Sequence, residues 1–306
     1  MAYESFGLAP GLEELVAVAR HEHVTRAAQQ LGIPQPTLSR ALARLAAELG
    51  TPLLHREGRG VRLTRHGQLL AGHAERALDE LLAGVRAVRA EADPDSGTVV
   101  LGFLHSMGPT VVPALLRGFR ETHPRVAVRL VQDAAHVIVE GVLSGRLDLG
   151  VAGPVPSHPH LGTRRLVEQP LTLLVPADHR LAGRARVHLA EVADEPLITM
   201  IAGYGVRTIT DTLLRAARLP IRYAYESQEM TTAAGLVAAG LGVAVLPAGA
   251  AMAGTVELAI ADKGASRTIS VAWSGDWRLS TPVSDLRRYI IDQAPDLLYR
   301  SGTATR

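Results

Sequence analysis

Apolar residues recur at helical spacing over roughly the first ninety positions and gather into short continuous runs after that, so the pattern changes character once. Leu12, Leu15, Val16, Val18 and Ala19 predict a first amphipathic helix. A second is expected to start at Thr25, read as its N-cap before Arg26-Ala27-Ala28, and to stop at Gly32. The third runs over 35–49, with Leu38, Leu42, Leu45 and Leu49 on one buried stripe. Its other face presents Pro36, Ser39, Arg40, Ala43 and Arg44. A tight turn between two short helices, the second apolar behind and arginine-bearing in front, describes a helix-turn-helix. Residues 52–64 then read as strand, glycine turn and strand.

Next comes one long helical pattern over 66–92 in which Ala71, Ala74, Leu78, Leu81, Val85, Val88 and Ala92 alternate spacings of three and four. That is a heptad seam. It suits either pairing with a second helix or packing against the chain's own body. The pattern breaks at Asp93-Pro94-Asp95-Ser96-Gly97. Beyond it, strand-like runs at 98–103, 126–131, 147–152, 171–175, 198–200, 221–225, 243–246 and 269–273 alternate with helical stretches at 113–122, 136–144, 206–217 and 231–239. Such alternation predicts α/β architecture with mainly parallel sheets, and about 200 residues suit two lobes. The uncharged stretch 230–256 is long enough to raise a membrane span, but Gly235, Gly240, Gly242, Pro247, Gly249 and Gly254 break it into helix, turn and strand.

Composition narrows the chemistry. The 306 residues are 47% hydrophobic, ample for real cores, and contain no cysteine, which removes disulfides, thiolate metal sites and cysteine nucleophiles. The net charge of +2 is unevenly placed: residues 20–65 hold eight arginines against Glu22, Glu48 and Glu57. A locally basic unit favours the DNA backbone, and arginine and glutamine suit base edges in the major groove. Positions 1–10 lack the basic start of an export signal, which points to the cytoplasm. There is no G-x-S-x-G elbow, P-loop or G-x-G-x-x-G. The close histidine pairs His21/His23 and His158/His160 are poor chelates, so no catalytic residue, metal or cofactor is expected.

Thr25-Arg26-Ala27-Ala28, Leu31-Gly32-Ile33-Pro34-Gln35-Pro36-Thr37-Leu38-Ser39-Arg40, Glu48-Leu49-Gly50, Pro52-Leu53 and Arg59-Gly60-Val61-Arg62-Leu63-Thr64 together resemble the LysR-type transcriptional regulators. The chain departs from that family at Pro34, where a serine cap is usual, and at His66, where a small residue usually follows the wing. The resemblance implies a winged helix-turn-helix at 1–65, a linker helix and hinge at 66–96, and a two-lobed, periplasmic-binding-protein type 2-like effector domain at 97–300. Lobe I would be 97–166 with 267–300, lobe II 167–266, and 301–306 a tail. Gln35, Pro36, Thr37, Ser39, Arg40 and Arg44 would face bases and phosphates, Thr25 and Arg26 would begin the helix crossing the backbone, and Arg56, Arg59 and Arg62 would support the wing. Ala71, Ala74, Leu78, Leu81, Val85 and Val88 would form a dimerisation seam.

Ligands of open α/β lobes sit outside the carboxyl ends of strands. On the implied fold this gives an effector site of His105, Ser106, Met107, Gln132, Ala134, Ala135 and His136 from one lobe and Ile201, Gly203, Tyr204 and Gln228 from the other. Ser106 has a second reading, as the cap of the helix that follows it. Ala134 and Ala135 stand where relatives carry hydroxyls, implying a pocket less specific for carboxylates. The implied partners are double-stranded DNA with a pseudo-palindromic operator, a small-molecule effector, further copies of the chain in a homodimer or homotetramer, and RNA polymerase, without a membrane. The alternative is a cytoplasmic solute-binding or enzymatic α/β protein whose N-terminal helices serve assembly; sequence-selective DNA binding separates the two.

Overall fold

The structure is a computed structural model that describes residues 11–57, 60–93, 96–276 and 278–303. The chain forms two compact units, the first running to Val85 and also taking in Ser144–Arg146, the second comprising the rest from Arg86 onward.

The first unit holds α1 (Leu12–His21), α2 (Val24–Leu31), α3 (Gln35–Glu48), β1 (Leu54–Glu57), β2 (Gly60–Leu63) and most of α4 (Arg65–Ala92). Leu15, Val18, Ala27, Leu38, Leu42, Leu45 and Leu53 form its core. Thr25 is not the cap of α2. His23 takes that place in an extended conformation and its carbonyl accepts from the Ala27 N–H at 3.0 Å, which puts Thr25 inside the first turn. Gly32 ends α2 at φ 66°, where the Ile33 N–H reaches back to the Ala28 carbonyl at 3.1 Å. Pro34 is the residue before α3 and offers no side-chain cap; its carbonyl instead accepts from Leu38 at 3.2 Å. The antiparallel wing pairs Leu54 with Leu63 and Glu57 with Gly60.

Thr64 joins the wing to α4. Its N–H donates to the Leu53 carbonyl at 2.9 Å, its hydroxyl donates to the Pro52 carbonyl at 2.7 Å, and the same oxygen accepts from the Gly67 N–H at 3.1 Å. The last contact is an N-cap on a 28-residue helix. His66, next to it, places Nδ1 3.3 Å from the Thr51 hydroxyl.

The second unit continues with β3 (Gly97–Phe103), a 3-10 turn (His105–Met107), α5 (Val111–Thr122), β4 (Val126–Gln132), α6 (Ala135–Leu143), β5 (Leu149–Ala152) and β6 (Leu161–Pro176). Then follow β7 (Arg186–Val187), β8 (Leu197–Met200), α7 (Gly205–Ala216), β9 (Tyr225–Ser227), α8 (Met230–Ala238), β10 (Val243–Pro247), β11 (Thr255–Ile260), β12 (Ser266–Ser274) and α9 (Thr281–Thr303). The strands run β4-β3-β5-β12-β6-β10-β8-β9, with β11 on β6 and β7 on β11. One core gathers on β3, β5, α5, α6 and α9 around Leu101, Ile138, Leu149 and Leu286. A second gathers on β6, β8, β10, α7 and α8 around Leu173, Ile198, Leu213 and Val245. These are the two lobes, and β6 and β12 pair antiparallel where the chain passes between them.

The short apolar runs appear as strands, though the 171–175 run is only the end of the 16-residue β6. The 221–225 run gives way to β9 at Tyr225–Ser227, after Pro220 and Arg222, and β7, β11 and α9 were not anticipated. Pro295 interrupts the helical signal of α9 but not the helix. In the first lobe Asp148 ties β5 to β3, its carboxylate accepting from the Val100 N–H at 2.7 Å while burial pushes its pKa up.

Candidate nucleic-acid interface and interlobe cleft

Leu38, Leu42 and Leu45 are buried, so α3 necessarily turns Gln35, Pro36, Thr37, Ser39, Arg40 and Arg44 outward; all six are exposed. Intrahelical bonds pre-set two of them. Gln35 Nε2 donates to Ser39 Oγ at 3.2 Å and Arg40 Nε to the Pro36 carbonyl at 3.3 Å. Thr25 and Arg26 are exposed at the start of α2, and Arg62 is exposed on the wing. Among the described residues no carboxylate pairs with Arg26, Arg40 or Arg44. Their charges are available to an outside anion. Arg20, by contrast, is tied to Glu75 Oε1 through Nε and Nη2 at 3.1 and 2.7 Å. Arg59 lies outside the described residues; Arg56 falls at a backbone position in β1 opposite Val61.

The seam on α4 is used in two ways. Ala71 and Ala74 are buried within the chain, Ala71 in the first unit's core. Leu78 is half-buried, and Leu81, Val85 and Val88 are exposed at 65%, 41% and 70%. The internal reading of the heptad pattern therefore applies to its start, and its end is left as an uncovered apolar strip.

The second unit places six of the expected residues, His105, Ser106, Gln132, Ala134, Ala135 and Tyr204, along a cleft between the lobes. A cavity of about 540 Å³ is lined by His105, Ser106, Gln132, Gln169, Glu229, Met230 and the 247–252 loop, among others. A narrower recess beside it takes His105, Ser106, Ala134, Ala135, Tyr204, Gly205 and Arg267. His136 reaches across, its Nδ1 3.2 Å from the Gly203 carbonyl. Met107 is instead buried in the first lobe's core, and neither Ile201 nor Gln228 lines the cavity or the recess. Ser106 does not cap α5, whose N-cap position is Thr110; its hydroxyl accepts from Arg267 Nη2 at 2.8 Å.

Arg267 and Gln169 are the residues that sequence reading missed. Arg267 is the one charged residue inside the otherwise neutral strand β12, and that was the available signal. Burial pushes its pKa down to about 10, so it stays cationic at neutral pH. Burial, and then the charges of Asp133 and Glu229, push the Tyr204 phenol up. One member of each histidine pair has a surface partner: His21 meets Gln30 at 2.6 Å and His160 meets Asp276 at 2.8 Å. Among the described residues no cluster of three or more histidines and carboxylates could hold a metal, and no helix is long and apolar enough to cross a membrane.

Comparison with known proteins follows the same division. Residues 11–68 match the family model of bacterial regulatory helix-turn-helix proteins, lysR family, and residues 92–295 match the model of the LysR substrate binding domain. The chain is 35% identical over 282 residues to YybE, an uncharacterised helix-turn-helix-type transcriptional regulator of Bacillus subtilis, covering 92% of this chain and 97% of that one. It is 29% identical over 286 residues to the transcriptional dual regulator GltC of the same organism, covering 92% and 95%. The fold resembles full-length CbnR, a regulator solved with its target DNA, at TM-score 0.69 and 23% identity, covering 94% of this chain and 99% of that one.

Proposed function

The chain belongs to the LysR family of bacterial transcriptional regulators, and from that premise we propose how its own residues bind DNA and respond to a ligand. It is a DNA-binding regulator, with an effector-binding domain behind a helix-turn-helix, and its relatives are regulators rather than enzymes. The finer assignments are these. Helix α3 enters the major groove, with Gln35, Ser39, Arg40 and Arg44 against base edges and phosphates and with Pro36 and Thr37 at the groove wall. Thr25 and Arg26 approach the backbone beside it, and Arg56, Arg59 and Arg62 supply the wing. Two copies pair through Leu78, Leu81, Val85 and Val88, which sets two recognition helices on a pseudo-palindromic operator.

The observation that carries this reading is the outward face of α3, where Arg40 and Arg44 stand exposed with no carboxylate among the described residues to neutralise them. The effector lies in the cleft, held by His105, Ser106, Gln132, His136 and Tyr204, and its presence changes lobe closure. Closure then alters the DNA complex or its contact with RNA polymerase. Such a protein works in the cytoplasm. Arg40→Ala is the direct test, read by fluorescence titration against the DNA upstream of its own gene and against random DNA. One bidentate arginine–base contact contributes about 1–3 kcal/mol, a loss of roughly tenfold to a hundredfold on the specific site. Unchanged specific affinity would remove Arg40 and the α3 assignment with it.

A further inference from the structure

A separate depression lies in the first lobe, where β12 ends and α9 begins. It encloses about 480 Å³ and shares no lining residue with the interlobe cavity or the recess beside it. Ser274, on its wall, closes β12, whereas Arg267 in the recess lies near the other end of that strand, roughly 20 Å away along an extended chain. Arg278, Arg287 and Arg288 line the depression against one carboxylate, Asp285. That carboxylate is already shared, lying 3.4 Å from Arg288 Nη1 and 3.7 Å from His123 Nε2. Among the described residues neither Arg278 nor Arg287 pairs with a carboxylate.

Arg287 is the best fixed of the three. Its guanidinium lies over the Trp273 ring, 4.7 Å from the ring centre. Gly162 on the paired strand β6 makes room for that indole, since an added Cβ there would fall 2.3 Å from Trp273 Nε1. Packed in this way, Arg287 buries its Nε without a hydrogen-bond acceptor. A guanidinium with one donor buried and unmade gains from an anion at the part of its fork that faces the depression. Three hydroxyls, of Ser274, Thr281 and Ser284, line the same space. Ser274 Oγ accepts from the Asp276 N–H at 3.4 Å, which leaves its own proton to donate outward. Thr281 and Ser284 stand in the first turn of the 23-residue α9, at the positive end of its dipole. Large apolar side chains on the wall are limited to Trp273 and Leu279.

We propose that this depression is a second ligand site, for a small phosphate monoester with a polar body, its phosphate held by Arg287 and Arg278 with Thr281 and Ser284 beside them. Charge selects phosphate over carboxylate. Three arginines against one carboxylate leave two positive charges unmatched, and a phosphate monoester carries about 1.5 to 2 negative charges at pH 7. The guanidinium fork also suits bidentate contact with phosphate oxygens. The polar wall gives an aromatic or aliphatic acid little to rest on.

Tryptophan emission reads this site selectively, because Trp273 and Trp277 are the chain's only tryptophans and neither belongs to the DNA-binding unit. The full chain is titrated at constant ionic strength with glycerol 3-phosphate and glucose 6-phosphate, each against the singly charged sulfate ester of the same alcohol, with calorimetry on the same samples. At least one phosphate ester should bind about tenfold or more tighter than its sulfate. Arg287→Gln should bring that pair close to parity, and Arg287→Lys should keep part of the preference. Arg278→Gln, at an exposed position, should weaken the phosphate ester without lowering the melting temperature. Equal binding of phosphate and sulfate esters overturns the proposal, as does a preference that survives both glutamine variants. So does the absence of both an emission change and an Arg287-dependent heat with either phosphate ester up to about 10 mM. An emission response to duplex DNA but to neither ester would make these arginines a contact for the DNA backbone and would overturn it as well.

Discussion

The His136 imidazole and the Gly203 carbonyl meet at 3.2 Å across the cleft, one residue from each lobe. Since a carbonyl only accepts, Nδ1 must carry the proton in this bond. Gly203 sits at φ 93°, and a Cβ there would lie 3.3 Å from the His136 ring, so backbone and side chain both need glycine at this point.

His136→Ala should loosen that closure without unfolding either lobe. A neutral hydrogen bond contributes about 1 kcal/mol, so amides of the 203–206 segment should exchange roughly fivefold faster, with little change in melting temperature. Unchanged exchange would mean the bond does not hold the lobes.

Leu81→Glu combined with Val88→Glu places charge on the uncovered strip of α4. On the proposed pairing of two copies, sedimentation should show a shift toward monomer, and operator affinity should fall more than affinity for random DNA, because on that proposal only the specific site engages two half-sites. A stable dimer in the double variant would move the interface off this strip.

Gly67 packs directly under the wing, where an added Cβ would fall 2.1 Å from the Leu53 carbonyl oxygen. Gly67→Ala should therefore destabilise the DNA-binding unit by about 1–3 kcal/mol despite alanine's better helix propensity. Thr64→Ala should cost about 1 kcal/mol through the lost cap. Stabilisation by Gly67→Ala, read from denaturant midpoints, would contradict this packing.

Tyr223 lies under the Arg207 guanidinium, 3.9 Å from its ring centre, and donates its hydroxyl to Asp211. Burial, followed by that bond and the Asp211 charge, pushes the phenol's pKa up. A raised folded pKa makes its contribution complete below the unfolded value of about 10 and lost as pH climbs toward the folded one. Stability should decline above pH about 10, more steeply in the parent than in Tyr223→Phe. Identical alkaline profiles would contradict the shift.

The DNA-binding unit was legible because its signals are local: a leucine stripe, a left-handed glycine and two short wing strands lie within fifty residues. Thr25 misled because His23, an unremarkable cap by type, adopts the extended conformation one residue before the helix. The seam was half legible, since spacing cannot tell that Ala71 and Ala74 meet the chain's own core while Val88 does not. β6 hides its length because Arg164, Arg165 and Glu168 make its first half read as a polar connection. Arg267 escaped for a geometric reason. The rule for α/β clefts looks at the carboxyl ends of strands, whereas Arg267 enters from within a crossing strand whose place is set by pairing with residues about a hundred positions away.

The most direct test of the whole account is a titration of the full chain with DNA from upstream of its own gene and with random DNA, at two salt concentrations. A DNA-binding regulator should bind the upstream DNA at least about a thousandfold tighter, and both affinities should fall steeply as salt rises and counterions compete for the phosphates. Equal affinities that ignore salt, or no binding even at low salt, would contradict it.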